Sequence, residues 1–181
     1  MVPAELPAVV VQALLEGGLT VATAESLTAG LLAATLADVP GASGTLQGGV
    51  VAYQNHVKEQ VLGVDADLLA RRGAVDGDVA VQMAQGARRV LGADVGLATT
   101  GVAGPEPHQG KPVGTVHLGI SGLGEDRSLL LRLEGERPTI RRATVELMLE
   151  HLQDLLSRHI PPADSRGLDL SGDHLAEGER R

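Results

Sequence analysis

A serine stands at the junction of a short apolar run and a segment of helix-forming composition. Ser26 follows the run from Leu19 to Ala24, which predicts a buried strand, and precedes residues 27–39, which predict a helix. A serine at such a junction lies near unpaired backbone N–H groups and the positive end of the helix dipole. This placement suits a nucleophile whose tetrahedral intermediate carries an oxyanion. The alternative is that Ser26 or Thr28 only caps the helix, which is the commonest use of such residues.

A tyrosine and a lysine are the second candidate group. Tyr53 ends the predicted strand 47–53, and Lys58 lies one turn inside a predicted helix over residues 55–62. Both side chains could then reach one cleft at the carboxyl ends of the strands, where open α/β sheets bind ligands. A lysine made partly neutral by burial, helped by a tyrosine, can serve a serine as its base. The alternative for Lys58 is an exposed position on a solvated helix face.

A glycine-rich loop follows the predicted strand 95–100. The strand runs into the loop through the segment Thr99-Thr100-Gly101-Val102-Ala103-Gly104-Pro105. The glycines would let backbone N–H groups approach an anion such as a phosphate. The segment matches neither a Walker loop nor a GxGxxG motif, so an ordinary turn is the alternative.

Arginines at the start of the last predicted helix could also hold a phosphate. Arg137, Arg141 and Arg142 lie near the beginning of the helix over residues 138–159. The alternative is that they are ordinary surface charges. The six histidines show no metal-ligand spacing and the chain has no cysteine, so we expect neither a metal site nor a cofactor.

Composition narrows the possible partners. The 181 residues carry a net charge of −8, which disfavours general binding to nucleic-acid backbones. Tyr53 is the only aromatic residue, so base stacking on aromatic side chains is nearly excluded. No stretch of 18 apolar residues occurs and the N-terminus lacks a basic signal-peptide region. We therefore expect a cytoplasmic protein that does not bind membranes.

The order of the predicted elements indicates an α/β protein. We expect a single-domain, three-layer α/β/α sandwich over residues 1–160, followed by a disordered tail over residues 161–181 that is rich in Pro, Gly and charge. Further helices are predicted over residues 4–16, 65–72 and 78–91, and a hairpin over 113–121 and 128–134, joined by a loop that contains GLGED.

Together these segments resemble one family, the C-terminal domain of the competence/damage-inducible protein CinA, which also occurs alone as PncC. The matching stretches are TVATAESLTAG at 20–30, GGVVAYQNHVKEQVLGV at 48–64, GAVDGDVAVQMAQGARRVLGAD at 73–94, TTGVAGP at 99–105, KPVGTVHLGI at 111–120 and ERPTIRRATVELML at 136–149. The resemblance covers about residues 6–157 in collinear order. Because the chain has no N-terminal molybdopterin-binding-like domain, it looks like the stand-alone form.

The resemblance implies a nicotinamide-nucleotide amidase, a metal-independent serine amidohydrolase that converts nicotinamide mononucleotide to nicotinic acid mononucleotide and ammonia. Ser26 matches the family's nucleophile, and Lys58 and Tyr53 match its activating partners. We expect backbone N–H groups at the start of the helix over residues 27–39 to hold the oxyanion. The residues that we assign to the substrate site are Thr28, Gly30, Thr100, Gly101, Gly104, Arg137 and Arg141.

The chain departs from the family pattern near this site. Glu106-Pro107 stands where the family commonly has two glycines, which stiffens the loop and adds a negative charge. That change bears on substrate affinity rather than on the nucleophile. A homo-oligomer is expected. The alternative functions are a non-catalytic nucleotide-binding or protein-interaction module linked to competence or DNA damage, and an amidase or esterase for a different small substrate.

Overall fold

The structure is a computed structural model, and it describes residues 5–160. Within this range the chain forms five strands of one mixed sheet and six α-helices. The strands are β1 (Val21–Glu25), β2 (Leu46–Val51), β3 (Val95–Gly101), β4 (Thr115–Gly122) and β5 (Glu125–Arg132). The helices are α1 (Glu5–Gly17), α2 (Leu31–Ala37), α3 (Asn55–Gln60), α4 (Ala66–Arg72), α5 (Gly77–Leu91) and α6 (Arg137–His159).

The strand order β2-β1-β3-β4-β5 brings the segments after three strands to one edge of the sheet. Strands β2 and β3 both run parallel to β1, and β4 and β5 continue the sheet antiparallel. The carboxyl ends of parallel strands lie at the same edge, so the residues that follow β1, β2 and β3 meet there.

Helices cover both faces of the sheet, which confirms the three-layer α/β/α sandwich. One apolar cluster joins the sheet to α1, α2 and α6, and includes Leu14, Leu36, Leu118 and Leu152. A second cluster joins the opposite face to helices α4 and α5, with Val57 of α3 packed against it. Two buried layers of aliphatic side chains thus replace the aromatic core that this sequence lacks.

Glycines allow helix α5 to lie very close to its neighbours. A Cβ atom on Gly119 of β4 would collide with the backbone carbonyl of Ala80, and one on Gly86 of α5 would collide with the backbone of Leu62. Helix α5 contacts β1, β3, β4 and β5, so this close packing fixes it across the sheet. The turn before α5 is thereby held beside the carboxyl end of β3.

Two predicted boundaries are wrong. The helix expected over residues 27–39 begins only at Leu31, because Ala29 and Gly30 both have positive φ, at 52° and 94°. The hairpin connection is the two-residue turn Leu123-Gly124, so β5 begins at Glu125 rather than at residue 128. Both turn residues have positive φ, as a type I′ turn requires, and leucine is rarely found in that conformation.

The remaining helices and strands agree with the predicted ones to within a few residues. The tail expected over residues 161–181 lies outside the described residues. Across residues 5–160, the structure contains no helix with the length and apolar character needed to span a membrane.

Candidate active site

The loop after β1 carries Ser26 at the carboxyl edge of the sheet. The Ser26 N–H donates to the Thr99 carbonyl at 2.9 Å, which ties the loop to the end of β3. The buried carboxylate of Glu25 accepts hydrogen bonds from the N–H groups of Gly30, Leu32 and Ala33 at 2.8–3.0 Å. Glu25 therefore occupies the start of α2, and the alternative in which Ser26 or Thr28 caps that helix is wrong.

Lys58 is a buried lysine that contacts Ser26. Only 1% of its surface is exposed, so the solvated helix face considered from the sequence is wrong. Its Nζ lies 3.2 Å from Ser26 Oγ, and it donates to the Ala52 carbonyl at 2.7 Å and the Tyr53 carbonyl at 3.2 Å. The amine is thus held by three oxygen atoms from two different loops.

Burial changes the protonation of this amine. Desolvation lowers the pKa of Lys58 from 10.5 to about 8, because the charged ammonium is disfavoured away from water. A neutral amine has two N–H donors and one lone pair. The two carbonyls can take the two donors, which leaves the lone pair to accept the Ser26 hydroxyl proton. The same three contacts therefore fit a lysine acting as a general base.

The phenol of Tyr53 lies on a different side of the site. Its hydroxyl accepts a hydrogen bond of 2.7 Å from Arg137, and the ring is about half exposed. Arg137 also donates to the Gly104 carbonyl at 3.0 Å. Tyr53 thus contacts Lys58 through its backbone carbonyl, and its hydroxyl is paired with an arginine across the cavity.

A cavity of about 530 Å³ opens beside Ser26 and Lys58. This volume lies within the range of small-molecule sites. Seven of the ten site residues proposed from the sequence line the cavity: Ser26, Tyr53, Lys58, Thr100, Gly101, Gly104 and Arg137. The structure therefore brings the serine, the lysine, the tyrosine and the glycine-rich loop together around one space.

The other three predicted residues do not line this cavity. Thr28 is buried and shares a hydrogen bond of 2.7 Å with the hydroxyl of Thr99, and the N–H of Gly30 is bound by Glu25. Arg141 donates to the carbonyls of Leu27 and Thr28 at 2.9 and 2.6 Å. These side chains and backbone groups hold the loop that carries Ser26.

Residues that were not assigned to the substrate site from the sequence complete the cavity wall. The side-chain oxygen of Gln109 accepts the Ala74 N–H at 3.1 Å, and the Thr100 hydroxyl donates to the Ala74 carbonyl at 2.7 Å. These two contacts join the glycine-rich loop to the turn before α5. The further lining residues are Leu27, Gln54, Asn55, Ala74, Val75, Val102, Ala103, Pro105, Glu106, Pro107, His108 and Gln109.

The backbone groups expected to stabilise an oxyanion also need correction. The N–H groups at the start of α2 are bound by the Glu25 carboxylate, so they cannot receive a negative charge from a substrate. Among the described residues, no acceptor contacts the N–H of Leu27, and Leu27 lines the cavity next to Ser26. The N–H of Leu27, the first residue of the helix expected over residues 27–39, is therefore one donor available for this task.

Comparison with known proteins agrees with this architecture. The model of the CinA C-terminal domain matches residues 3–156. A CinA-like protein of Frankia casuarinae is 49% identical over 152 residues, which are 84% of this chain and 35% of that protein. The chain thus spans about a third of the length of the curated relatives it matches.

Solved structures show the same fold. A CinA superfamily protein of Klebsiella pneumoniae superposes with a TM-score of 0.83 at 32% identity, covering 86% of this chain and 98% of that one. A competence/damage inducible protein of Agrobacterium tumefaciens gives a TM-score of 0.81 at 38% identity, with the same coverage. With the matched family model and these relatives, the chain belongs to the CinA C-terminal domain family.

Proposed function

We propose that this protein is a metal-independent serine amidohydrolase that converts nicotinamide mononucleotide to nicotinic acid mononucleotide and ammonia. The observation that carries the proposal is the contact of 3.2 Å between Lys58 Nζ and Ser26 Oγ in the wall of a cavity. A buried lysine of lowered pKa beside a serine is an arrangement suited to covalent catalysis.

The first half-reaction forms an ester on Ser26. Neutral Lys58 takes the hydroxyl proton as Ser26 Oγ attacks the carboxamide carbon. The oxyanion that forms is stabilised by the N–H of Leu27. When the intermediate collapses, the carbon–nitrogen bond breaks, and the proton held by Lys58 passes to the departing nitrogen, which leaves as ammonia.

The second half-reaction releases the acid. Lys58 removes a proton from a water molecule, whose oxygen attacks the ester carbon. The carbon–oxygen bond to Ser26 then breaks, and the proton on Lys58 returns to Ser26 Oγ. The products are a carboxylic acid and the free enzyme, so one water is consumed for each ammonia released.

The charges around the cavity support an anionic substrate that also carries a cationic ring. Arg137 lines the cavity and keeps free N–H groups beyond those donated to Tyr53 and Gly104, so it can bind a phosphate. Glu106 lines the same cavity with the opposite charge. A substrate with a phosphate at one end and a pyridinium at the other matches both groups.

The test is ammonia release from nicotinamide mononucleotide by the purified chain, without added metal. We expect turnover by the wild type, none by Ser26→Ala, and a far larger loss of kcat than of binding for Lys58→Met. Nicotinamide riboside, which lacks the phosphate, is the matched control substrate. If the wild type binds the nucleotide but releases no ammonia, the protein is a binding module and the proposal is wrong.

A different amide or ester substrate would give another pattern. The serine and lysine would remain essential, but Arg137→Ala would leave the reaction unchanged and removal of the phosphate would not raise KM. That result would support Ser26 as the nucleophile and exclude the nucleotide as the substrate.

A further inference from the structure

Among the strands of residues 5–160, β5 forms an edge of the sheet and has a neighbouring strand on one side only. The sheet ends in β2 on one side and β5 on the other. The edge at β2 is irregular, because its register with β1 shifts between Val21 and Ala22 and Gly48 has a φ of 147°. Strand β5 pairs with β4 without interruption from Glu125 to Arg132. Bulges protect an edge from association, and a regular edge strand lacks that protection.

The backbone groups that β5 presents to solvent can be assigned from its register. The Leu133 N–H donates to the Gly114 carbonyl, so odd-numbered residues of this segment point their backbone groups at β4. In an antiparallel pair these groups alternate along the strand. The even-numbered residues of β5, which run from Asp126 to Arg132, therefore point their N–H and C=O groups away from the sheet.

Apolar side chains accompany these open backbone groups. Leu129 and Leu130 are 38% and 49% exposed, and they lie on opposite faces of the sheet. On the face covered by α6, a cleft of about 120 Å³ adjoins Leu129 and His151. A cavity of about 150 Å³ accepts a benzene-sized group, so this cleft has room for one aliphatic side chain.

We propose that β5 pairs with β5 of a second copy of this chain, antiparallel across a two-fold axis that passes beside Leu129. The pairing gives a continuous sheet of ten strands. In a two-fold pair formed at a sheet edge, directly opposite residues lie on the same face, so they are both even-numbered or both odd-numbered. The outward backbone groups then pair Asp126 with Arg132 of the partner subunit and Ser128 with Leu130 of the partner subunit.

Charge selects this register over its neighbours. With Leu129 on the axis, Asp126 lies opposite Arg132 of the partner subunit, and symmetry repeats the pair. Within one subunit the Asp126 carboxylate accepts a hydrogen bond from Gln85 at 2.9 Å and Arg132 donates to the Thr115 hydroxyl at 2.7 Å, and each group keeps further hydrogen-bonding capacity for the partner. Shifting the axis to Ser128 places Asp126 opposite Leu130, and shifting it to Leu130 places Arg132 opposite Ser128. Opposite charges directly across a pair of strands stabilise it, so among the registers centred on Ser128, Leu129 and Leu130 only the one centred on Leu129 gains two such pairs.

The partner needed for this edge is thus the chain itself. The same strand carries an acidic residue near its start and a basic residue at its end, and only an antiparallel copy places both pairs at once. Each Leu129 also contacts its symmetry mate at the mouth of the cleft beside α6. Both side chains become buried there, which stabilises the pair.

Cysteine cross-linking tests the axis directly, because the chain contains no cysteine. Opposite residues in a non-hydrogen-bonded pair have Cα atoms about 4.5 Å apart, which is within disulfide range. We expect Leu129→Cys to form a disulfide-linked dimer under mild oxidation. The matched variants Ser128→Cys and Leu130→Cys should stay unlinked, since neither residue faces itself. Failure of Leu129→Cys to link, or equal linking by all three variants, would overturn the proposal.

Sedimentation of the full chain tests the charges. We expect a species of twice 18.6 kDa for the wild type. Asp126→Arg and Arg132→Asp should each weaken the dimer by about tenfold, and the double variant, which exchanges the charges, should restore it to within about threefold. A monomeric wild type, or a dimer indifferent to both single changes, would refute the interface. These measurements need no substrate, so they stand apart from the proposed reaction.

Discussion

The reactivity of Ser26 should follow the protonation of Lys58. The pKa of this lysine is lowered to about 8 by burial. About one tenth of the amine is then neutral at pH 7, compared with ~0.03% for a lysine at its ordinary value of 10.5. Burial thus supplies about 300 times more of the neutral amine at pH 7 than a lysine at its ordinary pKa would.

The assay measures two rates on the same samples. Ammonia release from nicotinamide mononucleotide reports turnover, and labelling of Ser26 by a fluorophosphonate reports the nucleophile without depending on the substrate. Both rates should rise close to tenfold between about pH 6 and about pH 7, reach half of their maximum near pH 8 and level off above about pH 9. Ser26→Ala is the control for labelling, and Lys58→Met is the control for the pH dependence.

Three results would refute this reasoning. A pH profile with its midpoint near the ordinary pKa of lysine would mean that burial does not lower the pKa of Lys58. A flat profile would mean that no titrating base assists Ser26. An unchanged profile in Lys58→Met would assign the titration to a different group. If labelling followed the expected pH profile while no ammonia was released, the assignment of Lys58 as the base would be supported and the proposed substrate would be wrong.

Three further predictions follow from the same contacts. Between about pH 8 and about pH 10.5 the folded chain binds fewer protons at Lys58 than the unfolded chain does. The free energy of unfolding of the wild type should therefore rise with pH over this range, by up to ~3 kcal/mol. Thermal unfolding of Lys58→Met should lack this rise. Arg137→Ala should mainly raise KM for the nucleotide. Arg141→Ala should mainly lower kcat, because it releases the loop that carries Ser26. Equal effects of the two changes on KM would contradict these separate roles. Gly86→Ala should lower Tm, since its Cβ meets the backbone of Leu62, with an expected cost of ~1–3 kcal/mol; an unchanged Tm would show that α5 can shift freely.

The meeting of Ser26 and Lys58 could be predicted because both follow parallel strands. Ser26 comes just after one apolar run, and Lys58 lies in the first turns of the helix that follows another. Parallel strands bring the segments that follow them to one edge, whatever lies between them. The alternation of strands and helices likewise predicted the three layers. These inferences rest on local pattern, which a single sequence contains.

Contacts between distant side chains and backbone could not be predicted in this way. Arg137 and Arg141 are four residues apart on one helix, and nothing in their spacing distinguishes the one that lines the cavity from the one that holds a loop. Gln109 accepts the Ala74 N–H across 35 residues, and no periodicity marks such a pair. The late start of α2 has the same origin, since the carboxylate of Glu25 folds back onto N–H groups five to eight residues further on.

Two opposing effects set the protonation state of Lys58. Their balance explains how a lysine can act as the base in this pocket. Burial disfavours the ammonium, while the carbonyls of Ala52 and Tyr53 accept its hydrogen bonds and favour it. If burial acted without the carbonyls, the amine would be neutral but free to rotate away from Ser26. If the carbonyls acted in open water, the amine would be oriented but almost wholly charged.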